Sequence, residues 1–234
     1  PVAGRPMVEW AVRTAEQIGE RTPVVVVGHG KEHVQALLGE RVQYVEQAQL
    51  LGTGHAVMQA ATALRGQSEA VVVFYADMPL MQADTFHRLV SLFSDYRQSN
   101  DVALAMLTIQ RDDSQGFGRV VRDAQGQVQA IVEEVDCTPE QRLIRELNPG
   151  IYRFDSAWLW SNLVHIPVSA KGEYYLTDMV GVAVAQGRRV VTALAPIDDV
   201  HGINTRIHLA HREAAMRQRI AERHLLHGVP IIDP

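Results

Sequence analysis

The sequence predicts an α/β fold with a mostly parallel sheet and helices on both faces. Residues 6–93 alternate regularly between helical and strand patterns. The runs Val24 to Val27 and Ala70 to Tyr75 are continuous and apolar, which is typical of strands buried on both faces. Beyond residue 100 several strand patterns follow one another and are joined by turn-rich polar stretches, which indicates a β-rich extension of the same domain.

The first half of the chain contains three helix–strand alternations. Their predicted order is a helix after Pro6, a strand at Val24 to Val27, a helix through Leu38, a strand at Val42 to Val45, a helix from Gly52 to Leu64, a strand at Ala70 to Tyr75 and a helix from Asp84 to Phe93. The β-rich extension follows, with strands at Val102 to Ile109, Gly118 to Val121, Val128 to Val132 and Leu147 to Phe154. The last elements are helices at Asp155 to Val164 and Asp178 to Gln186, a strand at Arg189 to Leu194 and a long helix from Asn204 to His227.

The composition excludes several classes of protein. Of the 234 residues, 47% are hydrophobic and 21% are charged, as in ordinary globular domains. A single Cys excludes a disulfide framework and a Cys-based zinc site. The net charge of -5 argues against general nucleic-acid binding, and no apolar run reaches the ~20 residues that cross a bilayer. We expect a cytoplasmic protein without a nucleic-acid or membrane partner.

A glycine-rich turn follows the second predicted strand. Gly52 and Gly54 flank Thr53, and Gly52 comes five residues after Gln47. Exposed backbone N–H groups at a helix start bind phosphate or base-edge acceptors, and a Gln amide pairs with a base edge. The alternative is an ordinary helix start with Thr53 as its N-cap.

Two oxygen-bearing side chains lie at element ends that suit a cation. Asp77 follows a buried strand, at the sheet edge where α/β proteins bind ligands. Asn204 precedes the last helix and offers a second, neutral oxygen. Mg²⁺ takes one or two such protein ligands and completes its shell with water and phosphate oxygens. The alternatives are a turn cap for Asp77 and a helix N-cap for Asn204.

Further polar residues lie at the ends of elements in the second half of the chain. Tyr175 and Thr177 precede a helix, Glu133 ends a strand, and Asn148 stands just before Gly150. Tyrosine rings and hydroxyls suit a sugar, but they serve equally well in packing. Thr177 is also a candidate N-cap.

Taken in order, these segments resemble the uridylyltransferase domain of the bacterial N-acetylglucosamine-1-phosphate uridylyltransferases. The matching stretches are VAGRPM (2–7), EQAQLLGTGHA (46–56), FYADMPL (74–80), GFGRV (116–120), IVEEVDCTPEQ (131–141), LNPGIY (147–152), GEYYLTD (172–178), HGINTR (201–206) and GVPIIDP (228–234). The resemblance covers nearly the whole chain. It implies a Rossmann-like nucleotidyltransferase fold in which the β-rich extension binds a sugar.

The resemblance also assigns roles to individual residues. Gln47 would recognise uracil, and Asp77 and Asn204 would bind Mg²⁺. The implied substrate-binding set is Gln47, Gly52, Thr53, Tyr75, Ala76, Asp77, Gly118, Glu133, Asn148, Tyr175, Thr177 and Asn204. Ala76 departs from the family, which usually has Gly at that position.

The implied reaction is uridylyl transfer from UTP to N-acetylglucosamine 1-phosphate, giving UDP-N-acetylglucosamine and pyrophosphate. This product feeds peptidoglycan and lipopolysaccharide precursors. Family members usually also acetylate glucosamine 1-phosphate with acetyl-CoA on a second domain, and they form homotrimers through that domain. Two alternatives stay open: a nucleotidyltransferase for another sugar 1-phosphate, and a non-catalytic module that binds a nucleotide sugar.

The resemblance further predicts how the domain is bounded. The family begins with a strand and a Gly-rich loop bearing an Arg and a Lys, and neither has a match here. We therefore expect the catalytic Arg and Lys upstream of Pro1 and none in the chain itself. Residues 1–203 would form the uridylyltransferase domain, 204–227 a linker helix, and 228–234 the start of a left-handed β-helix.

Overall fold

The computed structural model describes residues 1–19, 21–95 and 101–232. The elements of the first part are helix α1 (Met7–Ile18), strand β1 (Val24–Val27), α2 (Lys31–Leu38), β2 (Gln43–Glu46), α3 (Thr53–Gln59), α4 (Ala61–Leu64), β3 (Ala70–Val73) and α5 (Ala83–Asp95). Those of the second part are β4 (Val102–Gln110), β5 (Gly118–Arg122), β6 (Val128–Val132), β7 (Glu146–Asn148), β8 (Tyr152–Asp155), α6 (Ser156–Asn162), α7 (Asp178–Ala185), β9 (Arg189–Leu194) and α8 (Arg206–Leu226). The predicted α/β class is confirmed.

Two predicted elements are each divided in the structure. The helix expected from Gly52 to Leu64 consists of α3 and α4, which meet at Ala60. The strand expected from Leu147 to Phe154 consists of β7 and β8, which both run antiparallel to β4. The ladder is interrupted between them because Pro149 has no N–H and Gly150 adopts a φ of 80°.

Seven strands form the larger sheet. The chain of neighbours is β3-β8-β4-β7-β5-β6, and β9 pairs with β4. The prediction of a mostly parallel sheet is wrong in this detail: among the described strands only the β4–β9 pair of this sheet is parallel. The reason is that the β-rich extension joins the same sheet, and its strands pair antiparallel with β3, with β4 and with one another.

Apolar clusters lie on both faces of this sheet. One includes Trp158, Leu159, Met179 and Val180 from α6 and α7. The other includes Phe86 and Leu89 of α5, with further residues of β4. Helices therefore cover both faces, as predicted, and β4 is buried from Val102 to Ile109. Burying apolar surface on two faces is the main source of the stability of such a strand.

Strands β1 and β2 form a separate, parallel two-stranded sheet. A cavity of about 320 Å³ lies between β1 and β3. Its walls include three consecutive residues of β1 (24–26) and of β3 (71–73), together with apolar residues of α1, α3 and α4. Consecutive side chains of a strand point to opposite faces, so a cavity that touches three in a row lies along the strand's edge. The sheet is thus divided at this point.

Helix α8 packs against the beginning of the chain. Met216 is buried with Val2 and Leu80. Glu213 accepts a hydrogen bond from the backbone N–H of Ala3, at 2.5 Å. Arg219 donates to the carbonyl oxygen of Leu80 at 2.7 Å. The division at residue 203 stays a prediction, and the stretch 228–234 is described only as far as residue 232.

Candidate active site

The predicted site residues lie at the ends of strands and in the loops that follow them. Gln47 comes directly after β2, and its backbone N–H donates to the carbonyl oxygen of Val27 in β1 at 2.8 Å. Tyr75, Ala76 and Asp77 follow β3. This edge of the sheets is where open α/β folds bind ligands.

The glycine-rich turn is held by backbone contacts to a distant segment. The N–H of Gly54 donates to the carbonyl oxygen of Tyr174 at 2.8 Å, and the N–H of Tyr174 donates to that of Leu51 at 2.8 Å. A Cβ at Gly52 would lie 2.6 Å from the carbonyl oxygen of Tyr174, and Gly52 has a φ of 93°. Only glycine fits this position, because both the space and the left-handed conformation exclude a side chain.

Thr53 does not cap the helix that it begins. Its side-chain oxygen accepts a hydrogen bond from the backbone N–H of Leu176, at 3.0 Å. The alternative that Thr53 is an ordinary N-cap is therefore wrong. Thr53 instead connects the glycine-rich turn to the segment that precedes α7.

Tyr75 packs edge-on against a glycine of the β-rich extension. A Cβ at Gly150 would lie 2.3 Å from Cε2 of Tyr75. Burial raises the pKa of Tyr75 to about 12, and the neighbouring Thr53 side chain opposes the rise. The hydroxyl therefore stays protonated at neutral pH and is available as a hydrogen-bond donor. Ala76, which follows it, is exposed and lines the cavity.

Asp77 carries a buried oxygen without a partner. No hydrogen bond from a described residue reaches its Oδ1, which is shielded from solvent. Burial raises the pKa of Asp77, with a backbone hydrogen bond opposing the rise. An anionic oxygen removed from water without a donor is costly unless a cation or a proton is present. The environment of Asp77 thus fits a metal ligand.

The segment before α8 contacts Asp77 directly. The N–H of Ile203 donates to the backbone oxygen of Asp77 at 3.0 Å. A Cβ at Gly202 would lie 3.2 Å from Oδ2 of Asp77. Asn204 comes next and is exposed. Its alternative role as an N-cap is wrong, because Thr205 caps α8 by accepting from the N–H of His208 at 3.1 Å.

Four of the residues assigned to the sugar share one neighbourhood. Thr177 donates to Oε1 of Glu133 at 2.9 Å, and a Cβ at Gly118 would lie 3.5 Å from the other oxygen of this carboxylate. Gly118 is also the register partner of Asn148. The Asn148 amide donates to the Tyr152 hydroxyl at 2.6 Å. The fifth residue, Tyr175, makes no side-chain hydrogen bond to these four in the described part of the chain.

Two residues near Gln47 were not assigned a role from the sequence. His55 Nδ1 lies 3.0 Å from Nε2 of Gln47, and Gln59 lies one helical turn further along α3. The signal that would have found them is the spacing of His55 and Gln59, four residues apart and therefore on one face of the helix.

Comparison with known proteins identifies the family. Residues 1–150 match the model of the MobA-like NTP transferase domain. The chain belongs to this NTP transferase family. It is also 40% identical over 234 residues to the bifunctional protein GlmU of Caldanaerobacter subterraneus subsp. tengcongensis, and 43% identical over 238 residues to that of Stutzerimonas stutzeri. The expected resemblance is confirmed.

The chain spans about half the length of these NTP transferase relatives. The matches cover 100% of the chain, but 50% and 51% of the two GlmU proteins. Among solved structures, a UDP-glucose pyrophosphorylase in complex with UDP-glucose has a TM-score of 0.72 and 16% identity, over 94% of this chain and 89% of that one. A 4-diphosphocytidyl-2C-methyl-D-erythritol synthase from Anaerococcus prevotii has a TM-score of 0.66 and 15% identity, over 93% and 88%. The nucleotidyltransferase fold is confirmed.

NTP transferases of this kind generally use a divalent metal ion. The unpartnered oxygen of Asp77 meets that requirement, and the adjacent Asn204 offers a second oxygen. None of the helices in the described part of the chain combines the length and apolar character that a membrane crossing requires.

Proposed function

We propose that this domain transfers a uridylyl group from UTP to N-acetylglucosamine 1-phosphate. An oxygen of the sugar phosphate attacks the α-phosphorus of UTP and forms the new P–O bond. The bond between the α-phosphorus and the bridging oxygen breaks, and pyrophosphate leaves with that oxygen. Such a transfer requires positioning and charge neutralisation more than a protein nucleophile.

The observation that carries the proposal is the convergence of distant segments on the end of β3. Asp77 contacts the segment before Asn204, and Thr53 bonds to the segment before α7. That second segment also brings Thr177 to Glu133. One contiguous region therefore has three parts. Gln47 lies on the base side, which would bind the uracil; Asp77 lies on the phosphate side; and Glu133 lies on the sugar side, which would bind hydroxyl groups. These are the parts of a nucleotide sugar, in order.

Asp77 and Asn204 would bind Mg²⁺. When bound, the ion would neutralise the charge that accumulates on the phosphates during transfer. The chain's own contribution is to leave Oδ1 of Asp77 without a hydrogen-bond donor and to hold the segment just before Asn204 against Asp77. On the sugar side, Glu133 is oriented by the Thr177 hydroxyl, which leaves its second oxygen to accept from a sugar hydroxyl.

The remaining parts of the prediction concern the longer relatives. They are acetylation of glucosamine 1-phosphate on a second domain, a homotrimer formed through that domain, and a cytoplasmic location. The matched GlmU proteins are called bifunctional, which supports the first of these. The catalytic Arg and Lys expected ahead of residue 1 also stay a prediction.

The test is a pyrophosphate-release assay with UTP, N-acetylglucosamine 1-phosphate and Mg²⁺, carried out on a chain that includes the upstream segment expected to carry the Arg and Lys. Turnover with this pair, and at least tenfold less with CTP or with glucose 1-phosphate, would support the proposal. Equal or higher turnover with another sugar phosphate would favour a sibling nucleotidyltransferase.

Calorimetric titration with UDP-N-acetylglucosamine separates catalysis from binding. Binding without any pyrophosphate release would favour the non-catalytic module. Absence of both would contradict uridylyl transfer and the binding module together.

A further inference from the structure

The Gln47 side chain is held by two acceptors that fix the orientation of its amide. Its Nε2 lies 3.0 Å from the carbonyl oxygen of Gly52 and 3.0 Å from Nδ1 of His55. A carbonyl oxygen only accepts hydrogen bonds, so the Gln47 atom that faces it must be the NH₂ group. Gln47 is 8% exposed, which makes a reversed amide costly because two oxygens would then face each other.

This orientation determines the tautomer of His55. Both N–H bonds of the Gln47 amide are used when one points to Gly52 and the other to Nδ1 of His55. Nδ1 is then an acceptor, so in the neutral ring the hydrogen is on Nε2. The amide nitrogen of Gln59 lies 3.1 Å from His55 Nε2. A half-turn of the Gln59 amide would bring its oxygen to this position, where it accepts the hydrogen of His55 Nε2.

The turn of the Gln59 amide costs little. It gives up the contact of the Gln59 NH₂ group with the carbonyl oxygen of His55, at 3.2 Å. That carbonyl already accepts the ordinary helical hydrogen bond from the backbone of Gln59 within α3. Gln59 is only partly buried, so water can replace the hydrogen bond that its amide gives up on turning. Gln47 has no such freedom.

His55 is itself held in place by a ring contact. Its imidazole stacks on the ring of Tyr174, with centroids 6.2 Å apart and an interplanar angle of 27°. The backbone of Tyr174 bonds to Leu51 and Gly54 on either side of the glycine-rich turn. The turn, the histidine and the glutamine therefore form one connected unit.

The amide oxygen of Gln47 remains for a ligand. No described residue donates a hydrogen bond to Oε1, and Gln47 lines the cavity beside Thr53. A uracil bound beside it would pair its N3–H with this acceptor. In cytosine, N3 carries a lone pair instead of a hydrogen and would face this oxygen unfavourably. A site built to bond a ligand N–H discriminates strongly against an analogue that lacks it.

We propose that His55 is a positioning residue which sets the preference for uracil by holding the Gln47 amide with its oxygen toward the base. The inference rests on the proposed function, since it concerns the nucleotide that this site selects. His55 touches neither the base nor the reacting phosphates in this proposal. It acts through Gln47 alone.

Two variants separate the acceptor of His55 from its ring. His55→Phe keeps an aromatic ring against Tyr174 and removes the acceptor. His55→Asn removes the ring and places an amide oxygen near the position of Nδ1. The exposed His87 on α5 provides the matched control, His87→Phe. The measurement is the ratio of dissociation constants for CDP and UDP by calorimetry, repeated for kcat/KM with CTP and UTP.

We expect His55→Phe to lower the preference for uridine about tenfold, and His55→Asn to keep it within about threefold of the wild type. If His55 had a merely structural role, His55→Phe would weaken the binding of CDP and UDP equally and leave the ratio of their dissociation constants unchanged. An unchanged ratio in His55→Phe would overturn the assignment, as would an equal loss of the ratio in both variants. If His55→Phe does not fold, a ratio in His55→Asn more than tenfold below that of the wild type overturns it, and one within threefold supports it. Wild-type chain that binds neither nucleotide would contradict the proposed function itself.

Discussion

Strands β1 and β4 have similar sequences but different surroundings. Both are continuous apolar runs, Val24–Val27 in one case and the stretch that begins at Val102 in the other. Only Val27 is buried in β1, whereas all residues of β4 except the last are buried. β4 has strand neighbours on both sides, while β1 pairs with β2 and borders the cavity. The apolar pattern therefore decides that a strand forms, and the neighbours decide how closely it is packed.

The two sheets also differ in what they bring to the site. The two-stranded sheet leads into Gln47 and hence to the base side. The seven-stranded sheet leads into Asp77, and its extension supplies Gly118, Glu133 and Asn148. The well-packed sheet thus carries the phosphate and sugar sides, and the less packed sheet carries the choice of base. The following predictions test this division.

The largest effect is expected on the phosphate side. Asp77→Ala should lower kcat about 10²- to 10³-fold, because it removes the carboxylate that would neutralise phosphate charge through a metal ion. Pyrophosphate release at saturating UTP is the measurement. Asp84→Ala, at a side chain that is 90% exposed on α5, is the control and should leave kcat within about twofold, because exposed positions away from a site rarely affect it. If Asp77→Ala kept full activity, Asp77 at the end of β3 would not be a ligand of a catalytic metal ion.

The difference in packing should appear in stability. Leu104→Ala in β4, where the side chain is 0% exposed, should lower the free energy of unfolding by about 2–5 kcal/mol. Val25→Ala in β1 should lower it by about 1 kcal/mol, because Val25 is only partly buried and already faces a cavity. Urea unfolding measures both. Equal losses would show that β1 is packed as tightly as β4.

Filling the cavity should have a smaller effect of opposite sign. Ala11→Leu on α1 adds apolar volume that projects into the cavity, and we expect it to raise the free energy of unfolding by about 0.5–1 kcal/mol. Ala214→Leu on the exposed side of α8 is the control, with no expected gain. A destabilised Ala11→Leu variant would mean that the walls of the cavity cannot accommodate a larger side chain.

The smallest effect concerns the charge of Asp77. Burial raises its pKa above the ordinary 3.8, so the folded state binds more protons there than the unfolded state. The free energy of unfolding therefore falls as the pH rises from 3.8 through the raised pKa. Asp77→Asn should raise Tm by about 1–2 °C at neutral pH, since Asp77 is partly exposed and water screens its charge.

Two measurements complete this test. The gain in Asp77→Asn should vanish below the ordinary pKa of Asp77, where the carboxyl is protonated in both states. Added Mg²⁺ should raise the Tm of the wild type and have no effect on the variant. A variant less stable than the wild type at neutral pH would show that the carboxylate has a stabilising partner.

Much of the fold follows from local pattern. The strands at Val24 and Ala70 and the helix after Pro6 were predictable because apolar periodicity is a local property. The pairing of β3 with β8 was not, because it joins residues about 80 positions apart and no local signal encodes it. The lack of room for a side chain at Gly150 comes from the close approach of Tyr75, which is also a tertiary contact.

The candidate site shows the same limit. Asp77 and Gln47 were predictable from their positions at strand ends, together with the resemblance. The roles of Thr53 and Thr177 as hydrogen-bond partners were not, because each looked like a helix cap and its true partner lies far along the chain. His55 was missed because its role depends on the orientation of one amide group.

The cavity between β1 and β3 has a consequence for the heat capacity of the protein. It is partly open, so its mostly apolar walls face water already in the folded state. Apolar surface that becomes exposed to water raises the heat capacity of a protein when it unfolds. Because this surface is exposed before unfolding, the heat-capacity change of unfolding should be smaller than in a variant whose cavity is filled.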